Sequence, residues 1–128
     1  MGNILFIITL GVLSLNFFTI TYRVNGLNRL IHNVPISLFE TSIPIIEESD
    51  ELTLYYDKEL LENKLTSYFD KSIYKYTDEY RVTFYYYNQE DESICKGDKC
   101  DAIEITLKAK IDLFSEFKKT ARFYIQKN

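Results

Sequence analysis

The chain has 128 residues, 46% of them hydrophobic and 27% charged, with a formal net charge of -4. That is enough for one domain and too apolar for a disordered segment. Basic and acidic residues are interspersed without a basic tract, which argues against nucleic acid as a partner. Eleven Tyr and nine Phe, with no Trp, supply many large rings to bury.

The N-terminal stretch ILFIITLGVLSLNFFTITY, residues 4–22, carries no charge. As a helix it rises roughly 28 Å, close to the hydrocarbon thickness of a bilayer. It has no polar face of consequence, so the spacing predicts a single transmembrane helix and not a core helix. A cleaved signal peptide is disfavoured: no Lys or Arg precedes the run, and no small-x-small site follows it. Myristoylation is disfavoured because Phe6 stands where Ser or Thr is required. Gly11, Ser14 and Asn16 are the small and polar residues expected to pack this helix against neighbouring membrane helices. Arg23 and Arg29 follow the span and, by the positive-inside rule, favour a cytoplasmic C-terminal domain. The cysteine pair discussed below favours the opposite side, and the extracytoplasmic side is assigned here.

Beyond the span, Val24, Leu27, Leu30, Ile31 and Val34 keep helical spacing. The helix is therefore expected to run on to about Asn33, where Pro35 stops it. Asn25-Gly26 is its weak point, because Gly costs about 1 kcal/mol relative to Ala inside a helix. This makes residues 1–34 an anchor and spine, 35–56 a connector with a short strand over LTLYY (52–56), and 57–128 an α+β domain. In the last, Asp57 suits an N-cap, and Leu61, Leu65, Tyr68, Phe69 and Ile73 share one face of a helix over 57–73. Alternating residues predict strands over 79–88, 102–112 and 120–126, joined as an antiparallel meander with one wet face. Residues 113–119 are read as an irregular bend. The expected fold class is α+β: an N-terminal transmembrane helix, then a helix packed on a three-stranded meander.

The two cysteines, Cys95 and Cys100, flank KGDK in the loop between the first two strands. Facing positions in an antiparallel hairpin lie within disulfide reach, and Gly97-Asp98 supplies turn chemistry. A disulfide implies an oxidising compartment. Zinc is disfavoured, since the only histidine is His32 in the membrane-proximal helix, and no metal or other cofactor is expected. The acidic residues Glu90, Asp91, Glu92, Asp98 and Asp101 lack the spacing of a known calcium loop and read as a solvated loop. Tyr85 and Tyr87 point to the wetter sheet face, where they form a candidate contact surface. No nucleophile–base pair and no nucleotide loop occurs, so the chain is not read as an enzyme.

Taken together, the oily start (Ile4–Tyr22), the strand YRVTFYYYN, the Cys95/Cys100 loop and the closing segment IEITLKAKIDLFSEFKKTARFYI resemble those of TadE-like pseudopilins. The resemblance covers nearly the whole chain and rests on a generic pattern. It implies a non-enzymatic, single-pass subunit of a pilus or secretion apparatus, associating with other single-span subunits or with copies of itself. Prepilins carry a Glu at the fifth position after their processing Gly. Counting from Gly2 places Ile7 there, so pairing of that Glu with a neighbour's N-terminus is not implied. The competing expectation is a membrane-tethered module that binds a peptide or envelope ligand.

Overall fold

The computed structural model describes residues 2–44 and 54–125. They form an α+β fold as expected: helices α1 (Gly2–His32), α2 (Ile36–Glu40) and α3 (Lys58–Ser72), a short 3-10 turn (Ile73–Lys75), and strands β1 (Tyr80–Tyr87), β2 (Ala102–Lys110) and β3 (Glu116–Tyr124). α1 passes through Asn25-Gly26 without a break and stops three residues before Pro35. Its 31 residues rise about 46 Å. α3 begins where its cap predicts, with the Asp57 carboxylate accepting from the Leu60 N–H at 3.2 Å.

The strands form one antiparallel sheet in the order β1-β2-β3. On the inner face the register stacks Tyr86, Ile103 and Phe123 in one row, then Phe84, Ile105 and Ala121, then Val82, Leu107 and Lys119, then Tyr80, Ala109 and Phe117. The outer face carries Tyr87, Ala102 and Tyr124, then Tyr85, Glu104 and Arg122, then Thr83, Thr106 and Thr120, then Arg81, Lys108 and Lys118. A period of two places the apolar residues on one side, and the sheet must cover that side to fold.

Two helices cover it. Leu27 and Ile31 of α1, with Val34 just beyond its end, share one buried cluster with Leu61, Leu65 and Phe69 of α3 and with Ile103, Ile105, Leu107 and Ala109 of β2. Each such large side chain contributes about 1.5–3 kcal/mol by leaving water, so the second half of α1 is a structural part of the domain. α2 closes the β3 side, with Phe39 stacked on Phe123 at 4.3 Å between ring centroids. α3 lies toward β1, where the Lys58 ammonium sits 4.6 Å from the centre of the Tyr86 ring. The buried Thr77 hydroxyl is satisfied by the carbonyls of Lys110 and Glu79, at 2.7 and 2.9 Å.

Three local expectations are corrected or narrowed. The segment 113–119 is not an irregular bend. The β2–β3 turn is confined to residues 111–115, and Glu116–Lys119 already pair with Lys110–Leu107. Lys119 hid this, because it occupies an inner-face position beside Leu107 and breaks the alternation after Phe117. An inward charge on an edge strand is tolerated because its end reaches water. Second, the cysteines are not facing residues of the β1–β2 hairpin. The pairing of Tyr87 with Ala102 would put Gln89, not Cys95, opposite Cys100. Instead the chain reverses after Asn88, whose N–H donates to the Ser93 carbonyl at 2.8 Å, with Glu92 at a φ of 58°. Ile94 and Cys95 then run back along the outer edge of β1, and the Cys95 N–H donates to the Tyr86 carbonyl at 3.0 Å. Third, of the expected strand at 52–56, residues 52 and 53 lie outside the described residues and residues 54–56 form no strand. Of it, Tyr56 makes a single bridge to Cys100.

Candidate functional site: the apolar helix and the outer sheet face

α1 has two halves with opposite surroundings. From Ile4 to Thr19 the described side chains are exposed, although Phe, Leu and Ile dominate. From Ile20 onward the helix is progressively buried against the domain. The helix is long and apolar enough to cross a membrane, and its most apolar window, of mean hydropathy 2.2, has no residue buried within the fold. Residues 2–19 rise about 27 Å, close to the hydrocarbon thickness of about 30 Å. The polar groups in this half are handled locally: the hydroxyls of Thr9 and Thr19 donate to the carbonyls of Leu5 and Leu15 at 2.8 and 2.9 Å. That arrangement lets Thr sit in an apolar medium.

The three residues expected to mediate helix packing do not form one patch. Gly11 and Ser14 lie one turn apart in α1. Asn16 is rotated about 140° around the axis from Gly11. A Cβ placed on Gly11 meets nothing within 4 Å, so its surface is open to a neighbour. Asn16 is exposed and makes no hydrogen bond with a described residue. It shares a seven-residue stripe with Thr9 and Arg23, and Arg23 is the first charged residue after the apolar half.

The junction between the halves is tightly made. The Arg23 guanidinium donates to the Ile111 carbonyl in the β2–β3 turn. The rings of Tyr22 and Tyr76 pack at 5.3 Å. Tyr76 also occupies the space beside Gly26, where an added Cβ would come within 2.1 Å of a ring carbon. Gly26 is thus needed for close approach, a role that propensity alone does not disclose. Near the far end of α1, the Tyr68 hydroxyl of α3 donates to the Leu30 carbonyl at 2.8 Å. Leu30 is one of the last four carbonyls of the helix, which have no partner inside it.

On the outer face, Tyr85 is 48% exposed and its neighbour Tyr87 is half-buried. The Arg122 guanidinium lies 5.3 Å from the centre of the Tyr87 ring and 3.6 Å from the Glu104 carboxylate. Burial raises the Tyr87 phenol above its ordinary pKa, and the Arg122 charge partly offsets this. The meander adds Tyr124, which is exposed beside Ala102, to the two tyrosines singled out in β1. The alternation of β3 already placed Arg122 and Tyr124 on the wet side, but their cross-sheet neighbours depend on register.

At the end of the sheet away from Arg23, Cys95 and Cys100 are joined in a disulfide. Cys100 is buried, its carbonyl accepts from the Tyr56 N–H at 2.8 Å, and the bond ties the returning edge segment to the start of β2. The acidic loop is organised by its own carboxylates. Asp91 accepts from the Ser93 N–H and hydroxyl at 3.1 and 2.7 Å, and Asp101 accepts from the Gln89 N–H at 2.9 Å. Among the described residues no group of three or more His, Cys, Asp or Glu side chains is placed to hold a metal ion. His32 is exposed at the end of α1. No protein-family model, curated protein or solved structure matches this chain.

Proposed function

We propose that the chain is a non-enzymatic, single-pass membrane subunit of the pilin type, similar to the TadE-like pseudopilins, that takes part in assembling an envelope-spanning pilus or secretion apparatus. In this reading the domain lies outside the cytoplasm, where a disulfide persists. The observation that supports it best is the continuity of α1. One helix has an uncovered apolar half and a second half built into the sheet domain, so force or register in the membrane passes to the domain without a hinge. The uncovered half associates with neighbouring helices through Gly11, Ser14 and Asn16, and small residues with an unpaired carboxamide suit contact in lipid.

Extraction in a mild detergent followed by native electrophoresis tests this reading. Co-migration with other single-span subunits, weakened by Gly11→Ile and Asn16→Leu, is the expected result. Recovery as an isolated monomer before and after these changes counts against it. Orientation is tested separately with a membrane-impermeant thiol reagent. Labelling of Cys95 and Cys100 only after external reduction supports the extracytoplasmic domain. Labelling that needs permeabilisation and no reductant opposes it. A tethered binding module is the second reading, favoured by the Tyr85–Tyr87–Tyr124 surface and its Arg122.

A further inference from the structure

The β2–β3 turn exposes its two largest apolar side chains almost completely: Leu113 is 83% exposed and Phe114 96%. Exposed single hydrophobes are common, but a Leu-Phe pair at the tip of a tight, capped turn is presented and not merely left over. The turn is held firmly. The Asp112 carboxylate accepts from the Phe114 and Ser115 N–H groups at 2.8 and 2.7 Å, and the Ile111 N–H donates to the Ser115 carbonyl at 3.0 Å. Its height relative to α1 is set by Arg23, whose guanidinium donates to the Ile111 carbonyl. Arg23 is also where the uncovered apolar half of α1 ends and the docked half begins. The turn therefore sits level with the point at which α1 emerges from its apolar surroundings.

We infer that this turn is a second membrane contact: Leu113 and Phe114 enter the lipid interface of the bilayer that α1 crosses, beside the helix. This rests on α1 being a membrane span, and continuity with that span identifies the occupant. The charge distribution agrees. Arg81, Lys108 and Lys118 form a row across the outer face near the turn, and none forms an ion pair with a described residue. Among the nearby acids, Glu79 lies 3.8 Å from Lys110 and Asp112 caps the turn, while the exposed Asp78 and Glu116 are outnumbered by the basic row together with Lys110. The loop at the other end of the sheet carries Glu90, Asp91, Glu92, Asp98 and Asp101 against Lys96 and Lys99. A basic near end and an acidic far end orient the domain over anionic headgroups, and the apolar tip converts that orientation into insertion. Two fixed points, the helix and the turn, then hold the domain at one tilt instead of letting it swing about the helix.

The absence of Trp from the chain makes the test direct. Phe114→Trp, Phe17→Trp and Tyr124→Trp, each introduced singly into the full chain, are reconstituted in phosphatidylglycerol-containing vesicles and checked for folding by circular dichroism. Emission is read with phospholipids brominated near the headgroup end or near the tail end of the acyl chain. The expected result is a blue-shifted Trp at position 114, quenched severalfold by the headgroup-end bromines. The Trp at 17, near the emerging end of the apolar half, is then quenched by bromines at either depth and the Trp at 124 by neither. A Trp at 114 with water-like emission and no quenching, while the Trp at 17 is quenched, overturns the second contact and leaves the span intact. A blue-shifted Trp at 114 that bromine does not reach is covered by protein, and also overturns it. Loss of quenching at 17 overturns the span itself, and the turn contact with it.

Discussion

The ring of Tyr76 fills the space in which Gly26 would carry a Cβ, so a residue of poor helix propensity inside α1 is the one that lets the helix dock. The two effects oppose one another. Alanine at 26 gains about 1 kcal/mol of helix propensity, while overpacking against a ring costs about 1–3 kcal/mol.

Gly26→Ala is therefore expected to lower the stability of the domain by about 1 kcal/mol or more, with the propensity gain too small to compensate. Adding Tyr76→Ala should remove the clash, so the double change costs less than the sum of the single ones. Denaturant melts of the four proteins in one detergent measure this coupling. Strict additivity would show that the ring moves aside freely.

Tyr68→Phe removes the hydroxyl that satisfies the Leu30 carbonyl and leaves the ring in place. The expected loss is about 1 kcal/mol, more if the carbonyl becomes dry. Hydrogen exchange should speed up at the last turn of α1 and leave the centre of β2 unchanged.

Reduction of the Cys95–Cys100 disulfide should destabilise the fold by about 2 kcal/mol, since the loop it closes is short. The loss should be local at first. Protection of the Tyr56 and Cys95 amides, which bond to Cys100 and Tyr86, should fall before that of β2 and β3. Amide exchange of the oxidised and reduced protein compares them directly.

The Asp112 carboxylate is held below its ordinary pKa of 3.8, chiefly by the Phe114 N–H, which together with Ser115 and the Arg23 charge outweighs the desolvation that raises it. A depressed carboxylate stabilises the folded turn above its unfolded pKa and loses that stabilisation as pH falls through the folded value. The turn should thus stay closed at neutral pH and open only in acid below the ordinary Asp range. The amide shifts of Phe114 and Ser115, followed by NMR, should titrate together there, and Asp112→Asn should flatten both curves.

Alkali acts on the other side. Burial raises the phenols of Tyr56 and Tyr86 far above 10.0, for Tyr86 with the Glu62 carboxylate beside it and for Tyr56 with Tyr87 and Asp101. The Tyr86 hydroxyl is buried and makes no hydrogen bond of ordinary geometry with a described residue. A raised phenol pKa stabilises the fold below the unfolded value and withdraws that stabilisation as pH climbs above it. In an ultraviolet titration, Tyr56 and Tyr86 should ionise only as the domain unfolds, and their ionisation within the intact fold near the ordinary phenol value would contradict the burial.

Much of the architecture was legible in the chain. An uncharged run long enough for a bilayer, the stop at Pro35, the Asp57 cap and the alternation in β1 and β2 are local signals, each carried by a few neighbouring residues. The start of β3 was not, because Lys119 interrupts the alternation at an edge where its charge still reaches water. The path of the cysteine loop was hidden as well: a reversal after Asn88 with a left-handed Glu92 depends on backbone pairing to β1, not on any residue type in the loop. Of the candidate site, Tyr85 and Tyr87 were readable from their spacing, whereas Arg122 and Tyr124 became their neighbours only through the register of β2.

By itself the sequence determined where most of the helices and strands lie and which half of α1 is apolar, since periodicity and charge are properties of residues near one another along the chain. Tertiary structure alone decided that the other half of α1 is core, that Gly26 receives a ring, and that Arg23 holds the Leu113–Phe114 turn beside the end of the apolar half. Those outcomes join residues up to 88 positions apart, and only close packing of the helix layer on the sheet selects one such pairing among many.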